Sequence, residues 1–195
     1  MDPTDPNQLA SLASLFQQTL NPEQRKPAED QIGQLQAQPR FGFLLLALVQ
    51  SESTSTAIRL ASAIQFKNLC KTRWNVDAET EDPVFSAISD DEKQAIRQQL
   101  VPVLVSLASA STPSQAILSQ MNESVALVAS SDFPEAWPAL IDELVSQLST
   151  DNHHVLLSVL ATSHAIFKQW RSQFRSDALY SEINLVLGKM ANPLL

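Results

Sequence analysis

Apolar residues recur at helical spacing along almost the whole of this 195-residue chain, and that pattern limits the fold more than any other feature. Near the amino terminus five of them follow i, i+3, i+4, i+7 and i+11, on one face of a helix: Leu9, Leu12, Ala13, Phe16 and Leu20. Similar stripes continue along the chain, and the cleanest of them runs from Trp137 to Leu148. No segment shows the sustained polar–apolar alternation that is typical of a half-buried β-strand. The sequence therefore predicts an all-α protein.

Glycine is scarce, and this narrows the choice of folds further. The chain has 3 glycines, about 1.5% of its residues against an average of about 7%. Tight hairpins and phosphate-binding loops use glycine for backbone conformations that other residues avoid. The three glycines are also isolated from one another, so no glycine-rich phosphate loop is expected.

Residues that favour helix starts recur between the stripes. Asn21-Pro22 has the composition of an N-cap followed by a first-turn proline. Ser89 and Glu92 have the spacing of a capping box. Residues 132–135, Asp-Phe-Pro-Glu, precede the stripe that begins at Trp137. Each of the three segments is expected to begin a helix.

The predicted helices are spaced like those of a repeat protein. First helices of successive pairs begin near residues 7, 40, 91, 134 and 176, and the steps average close to the ~40–47-residue period of HEAT and armadillo repeats. We therefore expect an α-solenoid, a superhelix of HEAT repeats, with about four helix pairs and one unpaired helix. The expected repeats lie near 6–37, 39–73, 90–130 and 133–170, with the start of a fifth at 175–191 and an acidic loop at 75–89.

The last predicted helix has no second helix to pair with. The apolar sequence that follows it, residues 191–195, lacks the polar surface of a terminal repeat. We therefore expect the chain to be a piece of a longer solenoid, with an exposed apolar stripe on this helix. Its members are Leu179, Ile183, Val186, Leu187 and Met190.

Charge and composition exclude several classes of function. The chain has 13 basic and 21 acidic residues, a net charge of −8, so nucleic acid is not an expected partner, because affinity for phosphate depends on Lys and Arg. The longest apolar run, Phe41 to Val49, is about half of the ~20 residues that span a bilayer. A single cysteine, Cys70, excludes an internal disulfide. A soluble protein of the cytosol or nucleus is expected.

No arrangement of residues predicts catalysis. The three histidines lack companion ligands at metal-binding spacing. His153 and His154 are expected at a solvated helix start, and His164 at a packed position or the edge of one. Cys70 is expected to be a small buried group, although the neighbouring cations could instead lower its pKa. We expect no enzyme, no metal and no cofactor.

One segment reverses the overall negative charge. Between Ala57 and Trp74 the sequence contains four basic residues and no acidic one: Arg59, Lys67, Lys71 and Arg73. Lys67 and Lys71 are four apart and share a helix face. The segment is either the solvated edge of a buried helix or a docking patch for an acidic partner.

Three motifs resemble the importin-β superfamily of nuclear transport receptors. Residues 59–74, RLASAIQFKNLCKTRW, are similar to its second repeat, in which an alanine is followed by Lys-Asn, a basic residue and a tryptophan. Ala28-Glu29 followed by Leu35 resembles the opening of its first repeat. Residues 132–138, DFPEAWP, resemble a turn that opens a later repeat. The three motifs occur in the expected order and spacing.

Within the superfamily, the chain most resembles the exportins that return importin-α to the cytoplasm. Residues 154–176 and 179–187 carry this likeness. The resemblance extends from Leu9 to Leu195, and members of the family are several times longer than this chain.

The resemblance implies a transport factor that binds the GTP form of the GTPase Ran through the inner helices of its first repeats. Those helices would be 22–37, 54–73, 113–130 and 152–170. The implied contact residues are Lys67, Asn68, Lys71, Gln120, Asn122 and Glu123. The lysines would bind acidic side chains, Asn68 a backbone group and Glu123 a basic side chain.

The resemblance further implies importin-α as cargo, contacts with phenylalanine-glycine nucleoporins, and shuttling between nucleus and cytoplasm. Three alternatives remain open: an import receptor of the same superfamily, a helical-repeat scaffold with another partner, and an enzyme with an unrecognised site. Preference for GTP-bound over GDP-bound Ran would separate the transport receptors from the scaffold. A screen for turnover would test the last alternative.

Overall fold

The structure is a computed structural model that describes residues 1–76, 87–148, 151–171 and 173–194. These residues form α-helices and no β-strand. The helices are α1 (Pro6–Thr19), α2 (Arg25–Gln36), α3 (Phe41–Gln50), α4 (Thr56–Arg73), α5 (Asp90–Ala108), α6 (Gln115–Asp132), α7 (Leu140–Ser146), α8 (His153–Trp170) and α9 (Asp177–Leu194). The prediction of an all-α protein is confirmed. Residues 77–86 of the predicted acidic loop lie outside the described residues.

Residues 1–96 form one compact unit. In it α1 packs against α2, α3 and α4, and α3 packs against α4. Because α3 is apolar on nearly every side, all but two of its residues, Ala47 and Gln50, are buried. Helix α4 packs on more than one side, because it contacts both α1 and α3.

The helix starts in this unit agree only in part with the sequence signals. The side chain of Asn21 accepts a hydrogen bond from the Glu23 N–H at 3.1 Å within the preceding turn, and α2 begins later, at Arg25. The predicted start at Asn21 is therefore wrong. The Ser89 hydroxyl accepts from the Glu92 N–H at 3.3 Å, as a capping box requires. The Glu92 carboxylate, however, accepts from the Arg40 N–H at 3.0 Å, and so contacts the start of α3.

From residue 97 the chain forms a second compact unit. In it α6 packs against α8, and α7 packs against α9. The prediction that Asp132 begins the next helix is wrong, because Asp132 is the last residue of α6. Its carbonyl oxygen accepts from the N–H groups of Ala136 and Trp137, both at 2.8 Å, in a tight turn. The helical part of the predicted stripe begins only at Leu140.

An internal ion pair explains the position of Asp132. Its carboxylate is buried and accepts a hydrogen bond from the Arg97 guanidinium on α5. The DFPEAWP motif is therefore a structural junction between α5, α6 and the turn before α7. Trp137, which the sequence places in the core, is buried beside this turn.

The stripe on α9 is mostly covered by the chain itself. Leu179, Val186 and Met190 are buried, and α9 packs against α7. Leu187 is exposed and Ile183 is half-buried. The expectation of an exposed five-residue stripe is therefore wrong, because α9 packs against α7, the helix two before it in the sequence.

Candidate partner-binding surfaces

Helix α4 exposes one narrow stripe, which we call the α4 seam. Its members follow a spacing of three or four residues and are Ala57, Ala61, Ile64, Asn68 and Lys71. All are exposed except Ala61, which is half-buried. The remaining faces of α4 are occupied by packing against α1 and α3. The seam is therefore the part of α4 that a partner can reach within this unit.

Two of the three predicted contact residues on α4 lie on the seam. Asn68 and Lys71 are exposed, and Lys67 is half-buried beside them. The backbone carbonyl oxygen of Asn68 accepts from the Thr72 hydroxyl at 2.8 Å. The structure thus brings Lys67, Asn68 and Lys71 together at the carboxyl-terminal half of one helix.

The other two cations of this segment have structural roles. The Arg59 Nε donates to the carbonyl of Val49 at 2.8 Å, which ties α4 to the end of α3. Arg73 is buried, and burial lowers the pKa of its guanidinium although nearby Glu92 opposes that shift. Arg59 and Arg73 therefore serve internal contacts, and neither is among the contact residues that the resemblance implies.

The carboxyl-terminal end of α4 also orders the chain that precedes α5. The Ile88 N–H donates to the carbonyl of Arg73 at 3.2 Å. Trp74 is buried, and the Lys93 ammonium lies 6.0 Å from the centre of its ring, at the outer limit of a cation–π contact. The Arg-Trp pair of the motif is therefore structural.

Cys70 is a buried core residue, as the first of its two interpretations predicts. Burial raises the pKa of its thiol far above the ordinary value, because a thiolate would lose its hydration. The alternative, in which neighbouring cations lower that pKa, is wrong.

On α6 the predicted contact residues separate into buried and accessible ones. Asn122 is buried, and its side-chain oxygen lies 3.3 Å from the Ser158 hydroxyl and 3.0 Å from the Thr162 hydroxyl, both on α8. Its amide therefore joins α6 to α8. The predicted direct contact of Asn122 with a partner does not fit this burial.

Gln120 and Glu123 lie nearer the surface of α6. The carbonyl of Gln120 accepts from the Ser124 hydroxyl at 2.8 Å. Among the described residues, its side-chain oxygen is buried without a hydrogen-bond partner. Glu123 is exposed. Gln120 and Glu123 belong to the second unit, whereas the predicted contact residues of α4 belong to the first.

Helix α8 exposes a second stripe, which we call the α8 seam. It follows a spacing of three and four residues in alternation: His154, Leu157, Ala161, His164, Lys168 and Arg171. His164, expected at a packed or edge position, is exposed. The resemblance counts 152–170 among the inner helices but implies no contact residue on it. The signal that could have found the seam is the alternating spacing of these residues on a helix without a carboxylate.

The described residues offer no separate metal or membrane-spanning feature. They contain no group of three or more His, Cys, Asp and Glu that could hold a metal ion. None of the described helices combines the length and apolar character that a membrane span needs. The candidate functional features are therefore the exposed helix seams.

The chain matches known families at two places. A family model described as "Importin-beta N-terminal domain" matches residues 28–106, and a second, described as "Cse1", matches residues 166–195. The resemblance to the importin-β superfamily is confirmed. The first match contains the whole of α4, and the second contains the end of the α8 seam.

Individual relatives of this superfamily are similar to the whole chain. Exportin-2 of Drosophila melanogaster is 34% identical over 196 residues, which cover 100% of this chain and 19% of the relative. The importin alpha re-exporter of Saccharomyces cerevisiae is 35% identical over 187 residues, 96% of this chain and 18% of the relative. The chain thus spans about a fifth of the length of the curated relatives that it matches.

A solved structure has the same fold. The exportin Cse1 in its cargo-free, cytoplasmic state superposes with a TM-score of 0.82 at 32% identity. The superposition covers 95% of this chain and 19% of that one. The predicted α-solenoid of HEAT repeats is therefore confirmed.

Proposed function

We propose that this chain is a segment of a nuclear export receptor that binds Ran-GTP and, as part of the full-length protein, carries importin-α from nucleus to cytoplasm. The observation that carries the transport role is the likeness, over all or nearly all of the chain, to proteins named exportin-2 and importin alpha re-exporter. The role of Ran comes from the resemblance of the α4 motif to the superfamily. As a transport receptor the full-length protein also contacts phenylalanine-glycine nucleoporins and shuttles through the nuclear pore.

The α4 seam is the proposed Ran contact. Lys71 is exposed and Lys67 half-buried, so both ammonium groups can form charge-assisted hydrogen bonds with carboxylates while their aliphatic stems stay packed. Asn68 offers an amide to a backbone group. Ile64, 39% exposed in the middle of the seam, provides apolar surface that a partner would bury.

The electrostatic setting favours docking at this place. The whole chain carries a net charge of −8, which repels an acidic partner at a distance. Helix α4 has two basic residues in its last turn, and its sequence contains no carboxylate. The local reversal orients an acidic surface towards α4 and suppresses other orientations.

On the second unit, Glu123 is the proposed contact with a basic side chain of Ran, and Gln120, three residues before it on α6, is a second proposed contact. Asn122 is assigned instead to the α6–α8 junction, where its side-chain oxygen accepts from Thr162. In an exportin, Ran-GTP and cargo each raise the affinity for the other by the same factor, because the coupling free energy is shared.

We also propose the repeat boundaries from the helix pairs. The pairs α1–α2, α3–α4, α5–α6 and α7–α8 correspond to repeats near 6–37, 39–73, 90–130 and 133–170. Helix α9 is then the first helix of a fifth repeat, and α4 and α6 are second, inner helices.

Titration calorimetry with Ran tests the proposal. The chain should bind Ran loaded with a non-hydrolysable GTP analogue and bind GDP-loaded Ran much more weakly. Lys67→Glu with Lys71→Glu should weaken binding by about 2–3 kcal/mol, roughly 30- to 150-fold. Because Lys67 is half-buried, Lys71→Glu alone is the cleaner variant, with a smaller loss in the same direction.

Arg175→Glu is the matched control for Lys71→Glu. It makes the same change in net charge at an exposed position outside the inner helices, and it should leave the affinity for Ran within about twofold. Equal binding of GTP-loaded and GDP-loaded Ran would favour a scaffold over a transport receptor. If importin-α weakens the binding of Ran to the full-length receptor instead of strengthening it, that result would favour an import receptor.

A further inference from the structure

The α8 seam is a continuous exposed ridge on one helix. From His154 to Arg171 it contains 18 residues, and its two ends lie about 25 Å apart at a rise of 1.5 Å per residue. The residues between its members, such as Val155, Val159 and Ile166, are buried against the rest of the second unit. A ridge of this length can lie along a helical partner segment of about five turns.

The ridge is cationic although the chain is acidic. Residues 152–176 contain three histidines, Lys168, Arg171 and Arg175, and no acidic residue. The carboxylates that follow are Asp177 and Glu182 on α9, and Glu182 accepts from the Trp170 indole N–H at 2.8 Å. No ion pair recorded within the described part of the chain includes a cation of α8.

Large apolar side chains are exposed along the same region. Leu157, in the first half of the seam, is 50% exposed, and Phe174, three residues beyond Arg171, is 90% exposed. Five of the seven exposed large apolar residues found in the described ranges lie on α8, α9 or the segment between them: Leu157, Phe174, Tyr180, Leu185 and Leu187. Such a concentration is typical of an interaction site.

We propose that the α8 seam, together with Phe174, binds an acidic polypeptide segment that carries aliphatic or aromatic side chains. Lys168 and Arg171 pair with its carboxylates, and Leu157 and Phe174 pack against its apolar residues. The resemblance counts α8 among the inner helices as it does α4, but this proposal rests on the charge and exposed apolar surface of α8 itself. Its test contains no Ran, so its failure and a failure of Ran binding through α4 are distinguishable.

The observations favour a polypeptide over nucleic acid. Three basic side chains on a chain of net charge −8 provide few phosphate contacts, whereas nucleic-acid affinity grows with the number of phosphates neutralised. The half-exposed Leu157 in the first half of the ridge suits an apolar side chain, since a phosphate backbone would leave it without a complementary surface.

A structural role for the cations is the competing explanation. Lys168 lies in the last turn of α8 and Arg171 is its C-cap residue, where positive charge stabilises the helix dipole. If that were their whole function, reversing them would lower the melting temperature and leave peptide binding unchanged. Leu157 has no such role, so a substitution there separates the two explanations.

Fluorescence anisotropy with designed peptides tests the proposal. The probe is an 18-residue fluorescein-labelled helical peptide with glutamates on most positions and leucines spaced four apart, and a second probe carries lysines in place of the glutamates. The acidic peptide should bind saturably and the basic one should not. Lys168→Glu with Arg171→Glu should weaken binding at least about tenfold, and Leu157→Ala about fivefold.

The matched control is Arg25→Glu with Lys26→Glu, which makes the same charge change at exposed positions of α2 and should leave peptide affinity within about twofold. If Lys168→Glu with Arg171→Glu lowers the melting temperature, the double variant Lys168→Gln with Arg171→Gln and the single variant Leu157→Ala are used in its place. Absence of saturable binding, an equal loss in the α2 control, or unchanged affinity for Leu157→Ala would overturn the proposal. Tighter binding of an 18-nucleotide single-stranded DNA than of the acidic peptide would overturn the choice of a polypeptide.

Discussion

Removing either partner of the Arg97–Asp132 ion pair should destabilise the second unit strongly, whereas removing both should cost little more than removing one. The pair joins α5 to the last residue of α6, 35 positions apart in sequence. The informative set of variants is Asp132→Ala, Arg97→Met and the two combined, with Asp132→Asn as the conservative variant. All four leave the backbone of the following turn in place.

The magnitude follows from burial. The side chains of Arg97 and Asp132 are 14% and 10% exposed. Breaking one partner of a buried pair costs about 3–5 kcal/mol because an uncompensated charge remains, and the residual exposure places both single variants near the lower end, at about 3 kcal/mol. Asp132→Asn keeps an acceptor for the guanidinium and should cost about 1–2 kcal/mol. The double variant should cost about 3–4 kcal/mol, which leaves a coupling free energy of about 2–3 kcal/mol.

Urea unfolding followed by circular dichroism at 222 nm measures these free energies. Hydrogen exchange adds a local measurement, because the N–H groups of Ala136 and Trp137 bond to the Asp132 carbonyl at 2.8 Å. Those two amides should lose protection in Asp132→Ala before the rest of α6 does. Single-variant effects that add within 0.5 kcal/mol, with unchanged protection at these amides, would refute the account of the motif as a junction.

Two further perturbations have defined directions. Gly33→Ala on α2 should raise the free energy of unfolding by about 0.5–1 kcal/mol, since nothing lies within 4 Å of the added Cβ. Gly42→Ala on α3 should raise it by less than half as much, because its Cβ would lie 3.2 Å from the Ile96 side chain. Equal increases for the two variants in urea titrations would contradict this. Burial raises the pKa of Glu143 above its ordinary value of 4.5, with a hydrogen bond from Trp137 opposing the shift. The native state therefore favours the protonated acid, so Glu143→Gln should raise the melting temperature at pH 7. This increase should disappear as the pH falls towards 4.5, where Glu143 itself becomes protonated. A difference in melting temperature that does not depend on pH would contradict the prediction.

The fold could be predicted from the sequence because it is determined mainly by local sequence patterns. Helical periodicity and cap residues predict the all-α class and most helices without knowledge of tertiary contacts. The errors occur where a side chain has two possible partners. Asn21 can cap a helix or a turn and does the second, while the carboxylate of Asp132 is taken by an arginine 35 residues away, which no local pattern encodes.

The candidate sites could be predicted from the sequence only in part. The motif around Lys67 and Lys71 could be found by its likeness to the superfamily, and the structure separates these lysines from Arg59 and Arg73, whose groups serve internal contacts. Asn122 could not be separated from its neighbours by sequence, because its burial depends on hydroxyl groups of α8 that lie 36 and 40 residues further along the chain.

The two exposed seams share a layout that bears on how a partner would be recognised. Each has small or apolar residues in its middle and basic residues at its carboxyl-terminal end, where cations also stabilise the helix dipole. The same charge can therefore serve folding and binding, so charge reversal alone does not distinguish them. Ile64 on the α4 seam and Leu157 on the α8 seam, 39% and 50% exposed, gain little from folding of the isolated chain. Their apolar surface becomes favourable chiefly when a partner covers it, which makes these two residues the sharper probes of binding.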